Sequence, residues 1–270
     1  MNAFSVDDVA DEFLELASSQ RLSIIQKLHD GKYTVSSMAK ELDATVPEVH
    51  RNFGRLVKSG IIIKNSDSKY QLTLFGKTIY EQIPSILFIS SNKKYFTEHN
   101  FGNIPKKFIH RVGELGNSEL IKGYVKGFET WKNIYNNAEK YIYNILVEVS
   151  YSSDVVETLI QKLGNNVRIH SIFSENIIVS DERQKVLKTK NFQKFVTNDT
   201  LKRKMNKIVT TVVVLNEKEA AINFPINNGD IDFSKMFYST DSSFHEWCLD
   251  YFDYLWNDSG RFQESKLSLN

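Results

Sequence analysis

The chain has 270 residues, 41% of them hydrophobic, and a net charge of +1. This length allows two modest domains, and the apolar content excludes a disordered chain. The near-zero charge excludes a general polyanion binder. The single cysteine, Cys248, excludes an intramolecular disulfide and a cysteine-rich zinc site. No signal peptide is expected, and apolar runs such as Ile83 to Ile89 are too short to span a bilayer. We therefore expect a cytoplasmic protein without membrane contact.

Charge is distributed unevenly near the start of the chain. Residues 1–18 carry five acidic residues and no basic one, whereas residues 19–75 carry nine Lys/Arg against five Asp/Glu. Apolar residues at helical spacing predict a first helix over Asp7 to Ala17, with Phe13 on its apolar stripe. Its acidic face is expected to be solvated, with a dimer contact as the alternative.

The segment from Thr34 to Gly76 carries the most informative pattern. Val46 to Lys58 reads as one helix, in which successive residues are turned by about 100°. One of its faces is therefore apolar and the opposite face is basic. The apolar face carries Val49, Phe53, Leu56 and Val57, and the basic face carries Arg51, Arg55 and Lys58.

A shorter helix and a hairpin flank this helix. Residues 35–42 repeat the apolar spacing, and Asp43 to Thr45 form a turn, which together predict a helix-turn-helix. Ile61 to Leu74 then reads as a β-hairpin with a polar turn. A hairpin directly after a recognition helix is a wing.

The segment LHDGKYTVSSMAKELDATVPEVHRNFGRLVKSGIIIKN…YQLTLFG resembles the arsenic-repressor-like winged helix-turn-helix of bacteria and archaea. Pro47 departs from many relatives, but proline is well tolerated in the first turn of a helix. The resemblance implies binding to double-stranded DNA through the recognition helix and the wing. The candidate DNA-binding residues are Thr45, Glu48, His50, Arg51, Asn52, Arg55, Lys58, Lys64 and Lys69. Among them, Arg51 and Arg55 are the candidates for base edges. The acidic first helix is then expected to point away from DNA.

A helix predicted from Gly76 onward, through Ile79, Ile83 and Leu87, links this domain to the rest. Pro84 is expected to bend or divide it. Helices at this position in winged-helix regulators often pair with a partner's copy, which implies a homodimer. The predicted organisation is a winged helix-turn-helix domain at 1–76, a linker and dimerisation helix at 77–92, an effector domain at 93–260 and a tail at 261–270.

The remainder alternates helices and strands, which predicts an α/β domain with helices packed on a sheet. Helices are predicted at 106–115, 117–130 and 132–140, and strands at 141–150, 167–173, 208–215 and 220–224. A helix is predicted at 154–163, basic helices at 181–206 and a closing helix at 244–256. The overall fold class is thus α+β or α/β, with two domains.

Residues 93–257 resemble the effector domain of archaeal methanogenesis- and filamentation-type transcriptional regulators. The likeness rests on YF-x-x-H followed by I-P-x-x-F, on G-E-L-x-x-S-E-L, and on the helix with Trp131 and Ala138 that leads into a strand. Such domains resemble the phospholipase-D-like fold. Catalysis in that fold needs a lysine two residues after its histidine. Here the nearest match is His170-Ser171-Ile172, so no phosphodiesterase activity is expected.

Other chemical motifs are weak. No His-Glu-x-x-His, phosphate-binding glycine loop or nucleophile elbow is present, so we expect no enzyme, no cofactor and no metal. Asp230 and Asp232 flank a glycine turn and read as solvated or as making Asx hydrogen bonds, with a cation site as the alternative. The basic segment 185–207 reads as a solvated helix face, an anion site or a second DNA contact.

The sequence therefore predicts a homodimeric, DNA-binding transcriptional regulator whose C-terminal domain senses a small-molecule effector. Two alternatives stay open. The winged helix could bind a protein while the second domain serves as a scaffold, or the second domain could be an enzyme tethered to DNA.

Overall fold

The computed structural model describes residues 6–149, 153–179 and 193–263. Predictions that cover Ser150, the first part of the basic segment 185–207 and the tail beyond 263 fall outside these ranges. The chain divides into two compact units, Met1–Pro84 and Ser85–Asn270. The division falls inside the predicted linker 77–92.

The first unit is a winged helix-turn-helix, as predicted. Two short strands follow four helices and pair antiparallel, with Ile63 opposite Gln71. Tyr33 adds an isolated antiparallel bridge to Tyr70 on the second strand. The elements are α1 Val6–Leu16, α2 Ser19–Asp30, α3 Val35–Glu41, α4 Val46–Lys58, β1 Ile62–Lys64, β2 Tyr70–Leu72 and α5 Leu74–Ser91.

The core of this unit forms around one stripe of α4. Val49, Phe53 and Leu56 are buried there against α2 and α3. Val57 was predicted to share this face but is exposed, because it lies a further 100° or so around the helix from Leu56, at the rim of the stripe. Phe13, on the predicted apolar stripe of α1, is 57% exposed.

Local contacts explain why the sequence turns after the wing. The Thr73 hydroxyl donates to the carbonyl oxygen of Gly60 at 2.7 Å and accepts from the backbone N–H of Gly76 at 2.9 Å. A Cβ added at Gly76 would come within 2.1 Å of the Ile61 carbonyl oxygen. The L-T-x-x-G part of the motif therefore joins the wing to α5, and only glycine fits at position 76.

The second unit is an α/β domain, as predicted. A short 3-10 helix spans Val112–Leu115. The other elements are α6 Lys93–Glu98, α7 Lys106–Ile109, β3 Glu119–Lys122, α8 Tyr124–Asn137, β4 Tyr141–Val149, α9 Ser153–Gly164, β5 Arg168–Val179, α10 Gln193–Thr197, β6 Leu201–Asn206, β7 Val212–Leu215, β8 Ala220–Asn223, β9 Lys235–Ser239, α11 Ser242–Asp258 and β10 Gly260–Arg261. The described residues form an eight-stranded mixed sheet in the order β10-β6-β5-β4-β7-β8-β9-β3, in which β4, β5 and β6 are parallel.

Helices cover both faces of the sheet. Helix α11 packs one face with Trp247, Phe252 and neighbouring aromatic residues, over sheet residues such as Ile172. Helices α8 and α9 pack the other face over Ile142 and Val214. In the described ranges no helix is long and apolar enough to cross a membrane.

Several predicted elements of this unit differ from the structure. The predicted helix 117–130 is instead β3 followed by α8, because residues 119–122 pair with β9 at the sheet edge. Leu201–Asn206, predicted as basic helix, is a strand between β5 and β10. Pro84 lies within helix α5 and does not divide it, so of the two predicted effects only a bend stays a prediction. The strand at Gly260–Arg261 lies at the predicted boundary between the effector domain and the tail.

Candidate nucleic-acid interface

The exposed side of α4 is a compact polar face. Burial of Val49, Phe53 and Leu56 turns His50, Arg51, Gly54 and Lys58 outward, and all four are exposed. At about 100° per residue these four positions lie within one sector of roughly 100°. We call these four residues the reading face. The reading face presents two cationic side chains, those of Arg51 and Lys58, beside Gly54, which has no side chain.

Arg51 and Lys58 hold the charge of the reading face. Within the described residues, neither makes a hydrogen bond or an ion pair. Their donors are therefore directed to solvent or to a partner. Gly54 lies between them, and a Cβ added there would have no atom within 4 Å. Gly54 was not among the candidate residues predicted from the sequence. A glycine in the middle of a helix lowers the stability of the helix, and its presence there could have indicated a functional position.

Arg55 points to the flank of α4 and is paired within the chain. Its Nη2 lies 2.6 Å from Oε1 of Glu15, and its Nε lies 3.0 Å from Oε2, which is a bidentate contact. The hydrogen bond from Arg55 is the largest cause that lowers the pKa of Glu15, and the same contact raises the pKa of Arg55. The acidic helix α1 was expected to point away from the DNA surface. Glu15 instead contacts the recognition helix.

A buried arginine holds α1 in this position. Arg21 of α2 is 9% exposed, and its guanidinium donates to the carbonyl oxygens of Glu15 and Leu14, each at 2.7 Å. The same guanidinium lies 3.2 Å from the Glu15 carboxylate. One carboxylate thus contacts both a buried and an exposed arginine.

Three further candidate residues have partners within the domain. The carboxylate of Glu48 accepts from the backbone N–H of Thr45 at 3.0 Å and from its hydroxyl at 2.7 Å. These bonds lower the pKa of Glu48 and fix the first turn of α4. The amide of Asn52 donates to the side-chain oxygen of Gln20 on α2. Thr45, Glu48 and Asn52 therefore shape and orient α4, and DNA contacts by them stay a prediction.

The wing adds two exposed lysines. Lys64 on β1 lies with its Nζ 5.9 Å from the centre of the Tyr70 ring. Lys69 lies 3.6 Å from the carboxylate of Asp67 in the turn of the hairpin. Both are long, exposed cations, suited to contacts with phosphate rather than to base recognition.

The Asp230/Asp232 turn has a structural role in the second unit. Oδ1 of Asp232 accepts from the backbone N–H of Ser234 at 2.9 Å, the Asx hydrogen bond that the sequence suggested. Oδ2 of Asp232 lies 2.9 Å from Nε2 of the buried His99. Burial works against the charged form of Asp232, but the hydrogen bonds from Ser234 and His99 outweigh it, so its pKa is lowered.

This contact accounts for the YF-x-x-H motif. Nδ1 of His99 lies 2.9 Å from the Tyr95 carbonyl oxygen, and the His99 and Tyr95 rings stack with centres 3.8 Å apart. Both ring nitrogens of His99 thus lie within hydrogen-bonding distance of an oxygen atom, one of Tyr95 and one of Asp232. The motif therefore joins α6 to the Asp232 turn. Among the described residues no cluster of three or more His, Cys, Asp or Glu side chains has metal-binding geometry.

His170 is enclosed by aromatic rings. It stacks between Tyr143 and Trp256, with ring centres 4.8 and 4.9 Å apart. Burial, and then the charges of Lys202 and Arg168, lower its pKa to about 4. Ile172, which stands where phospholipase-D catalysis needs lysine, is fully buried in the core.

The chain resembles known proteins only weakly. No family model matches it. No curated protein matches it. Among solved structures, TrmBL2, an archaeal chromatin protein described as showing a novel mode of DNA binding, aligns over 89% of this chain and 92% of its own, at 10% identity and a TM-score of 0.41.

Two further solved structures align with about half of the chain. Nuc from Salmonella typhimurium, a phospholipase D family member, covers 55% of this chain and 99% of its own, at 10% identity and a TM-score of 0.40. NucT from Helicobacter pylori covers 54% and 99%, at 9% identity and a TM-score of 0.39.

Proposed function

We propose that this protein is a DNA-binding transcriptional regulator that inserts α4 into the major groove of a duplex. The observation that carries the proposal is the pair Arg51 and Lys58, two exposed cations that make no hydrogen bond or ion pair within the described residues. They are held outward because the opposite side of α4 is buried. An α-helix fits the major groove, where base edges are distinguishable.

We assign different DNA contacts to the different cations, according to their positions. Arg51 lies in the N-terminal half of α4, the part of a recognition helix that contacts base edges, so it is the residue for base edges, most naturally the two acceptors of guanine. Lys58 at the end of α4 and Lys64 and Lys69 on the wing are suited to phosphates, which fix register without reading sequence. Arg55 would join them only after leaving Glu15.

A homodimer would double this surface. Helix α5 exposes the adjoining residues Ile86 and Leu87, at 52% and 61% of their accessible surface. Contiguous exposed apolar side chains mark interaction sites, so we assign this part of α5 to the dimer contact. A two-fold dimer would place its α4 helices on half-sites about 34–36 Å apart.

We also propose that the second unit regulates rather than catalyses. A ligand that binds one state of the dimer better than the other by about 1–3 kcal/mol suffices for regulation. The enclosure of His170 and the buried Ile172 at the expected lysine position support a non-catalytic role. Hydrolysis of a phosphodiester such as bis-p-nitrophenyl phosphate by the purified protein would overturn it.

Substitution of Arg51 tests the DNA-binding proposal. In vitro selection would first define a preferred duplex. Arg51→Ala should then weaken binding to that duplex by about 1–3 kcal/mol and affect a scrambled duplex far less. Lys126→Ala, which removes one exposed charge from the second unit, is the matched control. Equal losses on both duplexes would make Arg51 a phosphate contact, and no loss on either would reject α4 as the reading element.

A further inference from the structure

The second unit contains a cavity of about 120 Å³ between α8 and the sheet. One wall comes from α8 and the other from β4, β7, β8 and β9. A cavity of about 150 Å³ with an apolar lining holds one benzene molecule in another protein. The space here is therefore of the size of a single small ring.

The α8 wall is aromatic. Tyr124, Phe128 and Trp131 follow one another along the helix at spacings of four and three residues. The first two rings are parallel within 5°, with centres 6.2 Å apart, and the Trp131 ring meets Phe128 at 67°. Gly127 lets α8 come close to the backbone of Phe233, since an added Cβ would lie 3.2 Å from the Phe233 carbonyl oxygen.

The sheet wall is aliphatic and uncharged. Leu146, Val212, Val214 and Met236 line it, with the amide of Asn223 as its one polar side chain. Both amide hydrogens of Asn223 are used, on the carbonyl oxygens of residues 232 and 235 at 3.0 and 2.8 Å. The described lining contains no charged residue, so a charged ligand would lose its hydration without compensation.

One residue of the aromatic wall carries an unpartnered donor. The indole Nε1 of Trp131 is buried and makes no hydrogen bond with the described residues. A second buried polar atom without a partner among the described residues belongs to Asn144. Oδ1 of Asn144 is also buried without a partner, while its amide donates to the hydroxyl of Tyr135, whose ring contacts Trp131 with centres 5.4 Å apart. Buried polar groups without partners are rare in native proteins, and a ligand is one way in which they are satisfied.

We propose that this cavity binds a small, flat, uncharged ring molecule with a hydrogen-bond acceptor directed at Trp131 Nε1. Aromatic side chains on one side and aliphatic side chains on the other fit a planar ring, and the indole N–H selects a ring that carries an acceptor. The inference deepens the proposed regulatory role of the second unit by naming the class of effector.

Benzene and pyridine form a matched pair of probes, because they share shape and differ in one ring-nitrogen acceptor. Each would be titrated into the methyl-labelled full-length protein without DNA, at a pH where pyridine is neutral. The methyl resonances of Leu146, Val212, Val214 and Met236 should shift with both probes. In Trp131→Phe, which keeps a ring and removes the donor, pyridine should lose about three- to tenfold in affinity relative to benzene.

Val212→Phe, which fills the cavity, should abolish the shifts in a protein whose methyl spectrum stays dispersed. Absence of shifts at all four residues at millimolar probe, or shifts that persist in Val212→Phe, would overturn the cavity as a binding site. An unchanged ratio of pyridine to benzene affinity in Trp131→Phe would overturn the indole N–H as the selecting donor. Because no DNA is present, these outcomes are independent of whether α4 binds a duplex.

Discussion

The carboxylate of Glu15 on α1 holds the guanidinium of Arg55 on the recognition helix by two hydrogen bonds, the shorter of 2.6 Å. Forty residues separate the two in the sequence. A phosphate that approached Arg55 would have to compete with this carboxylate, so α1 would weaken the proposed contact of α4 with DNA.

Glu15→Gln should therefore strengthen duplex binding, because it removes both the competing partner and a negative charge. Exposed ion pairs are weak, and the Arg55 side chain is 55% exposed, so the gain should be modest, about two- to fivefold. Fluorescence anisotropy with a labelled duplex at fixed salt would measure it. The same substitution made in an Arg55→Ala background should have a smaller effect. Equal gains in both backgrounds would show that Arg55 plays no part.

Gly54→Ala should change protein stability and duplex affinity in opposite directions. The new methyl group meets nothing within 4 Å and relieves the helix of a glycine, so the free energy of unfolding should rise by about 0.5–1 kcal/mol. Duplex affinity should fall, because the methyl group occupies the gap between Arg51 and Lys58. Urea unfolding and gel shifts would record the two effects.

Gly164→Ala is the matched control, since Gly164 ends α9 and also has open space at its Cβ position. It should leave DNA binding unchanged. If Gly54→Ala stabilised the protein and bound DNA as tightly as the wild type, the reading face would not lie against the duplex.

Much of the first unit was predictable because its signals are local. Residues three or four positions apart mark the apolar stripe of α4. Residues next to one another mark the turn at Asp43 and the hairpin. The Glu15–Arg55 pair was not predictable, because nothing local marks which carboxylate an exposed arginine will meet.

The same limit explains the misassigned strand β6. Its run Lys202, Arg203 and Lys204 resembles a solvated helix face. In the fold, Lys204 lies 4.8 Å from the Trp256 ring centre and Arg203 lies 4.2 Å from the Phe262 ring centre. These aromatic partners are distant in sequence and let basic side chains lie on a sheet. The cavity beneath α8 likewise depends on five elements that meet only in the fold.

Asp232→Asn should destabilise the protein in a pH-dependent manner. Because the folded state lowers the pKa of Asp232 below its ordinary value of 3.8, its ionised form contributes stability at neutral pH. The contribution is lost as the pH falls through the folded pKa. We expect a loss of about 1–3 kcal/mol at pH 7, because a neutral amide cannot replace the charge of the carboxylate beside His99.

Urea unfolding at pH 7 and at pH 3 would measure this difference, which should shrink at the lower pH. Asp230→Asn is the control, because Asp230 is exposed and its side chain bonds, among the described residues, within its own turn. A loss of the same size at both pH values would show that the Asp232 charge is irrelevant.

Leu87→Asp should disrupt the proposed dimer. A carboxylate on the exposed apolar surface of α5 would be buried against a partner at high cost. Sedimentation velocity should show a dimer for the wild type and a monomer for the variant. Val125→Asp, at a residue that is 72% exposed on α8, should leave the mass unchanged. A wild-type protein that is monomeric at all concentrations would contradict the proposed dimer. It would not bear on the proposed contact between the reading face and DNA.

The salt dependence of duplex binding tests the central claim most directly. Each phosphate contact by a cation releases counterions, so the logarithm of the association constant should fall linearly with the logarithm of salt concentration. For the triple variant Lys58→Ala, Lys64→Ala and Lys69→Ala, the slope should become shallower by about three, while its helical content stays that of the wild type. No duplex binding at low salt, or the same slope in both proteins, would contradict the assignment of α4 and the wing as the DNA-binding surface.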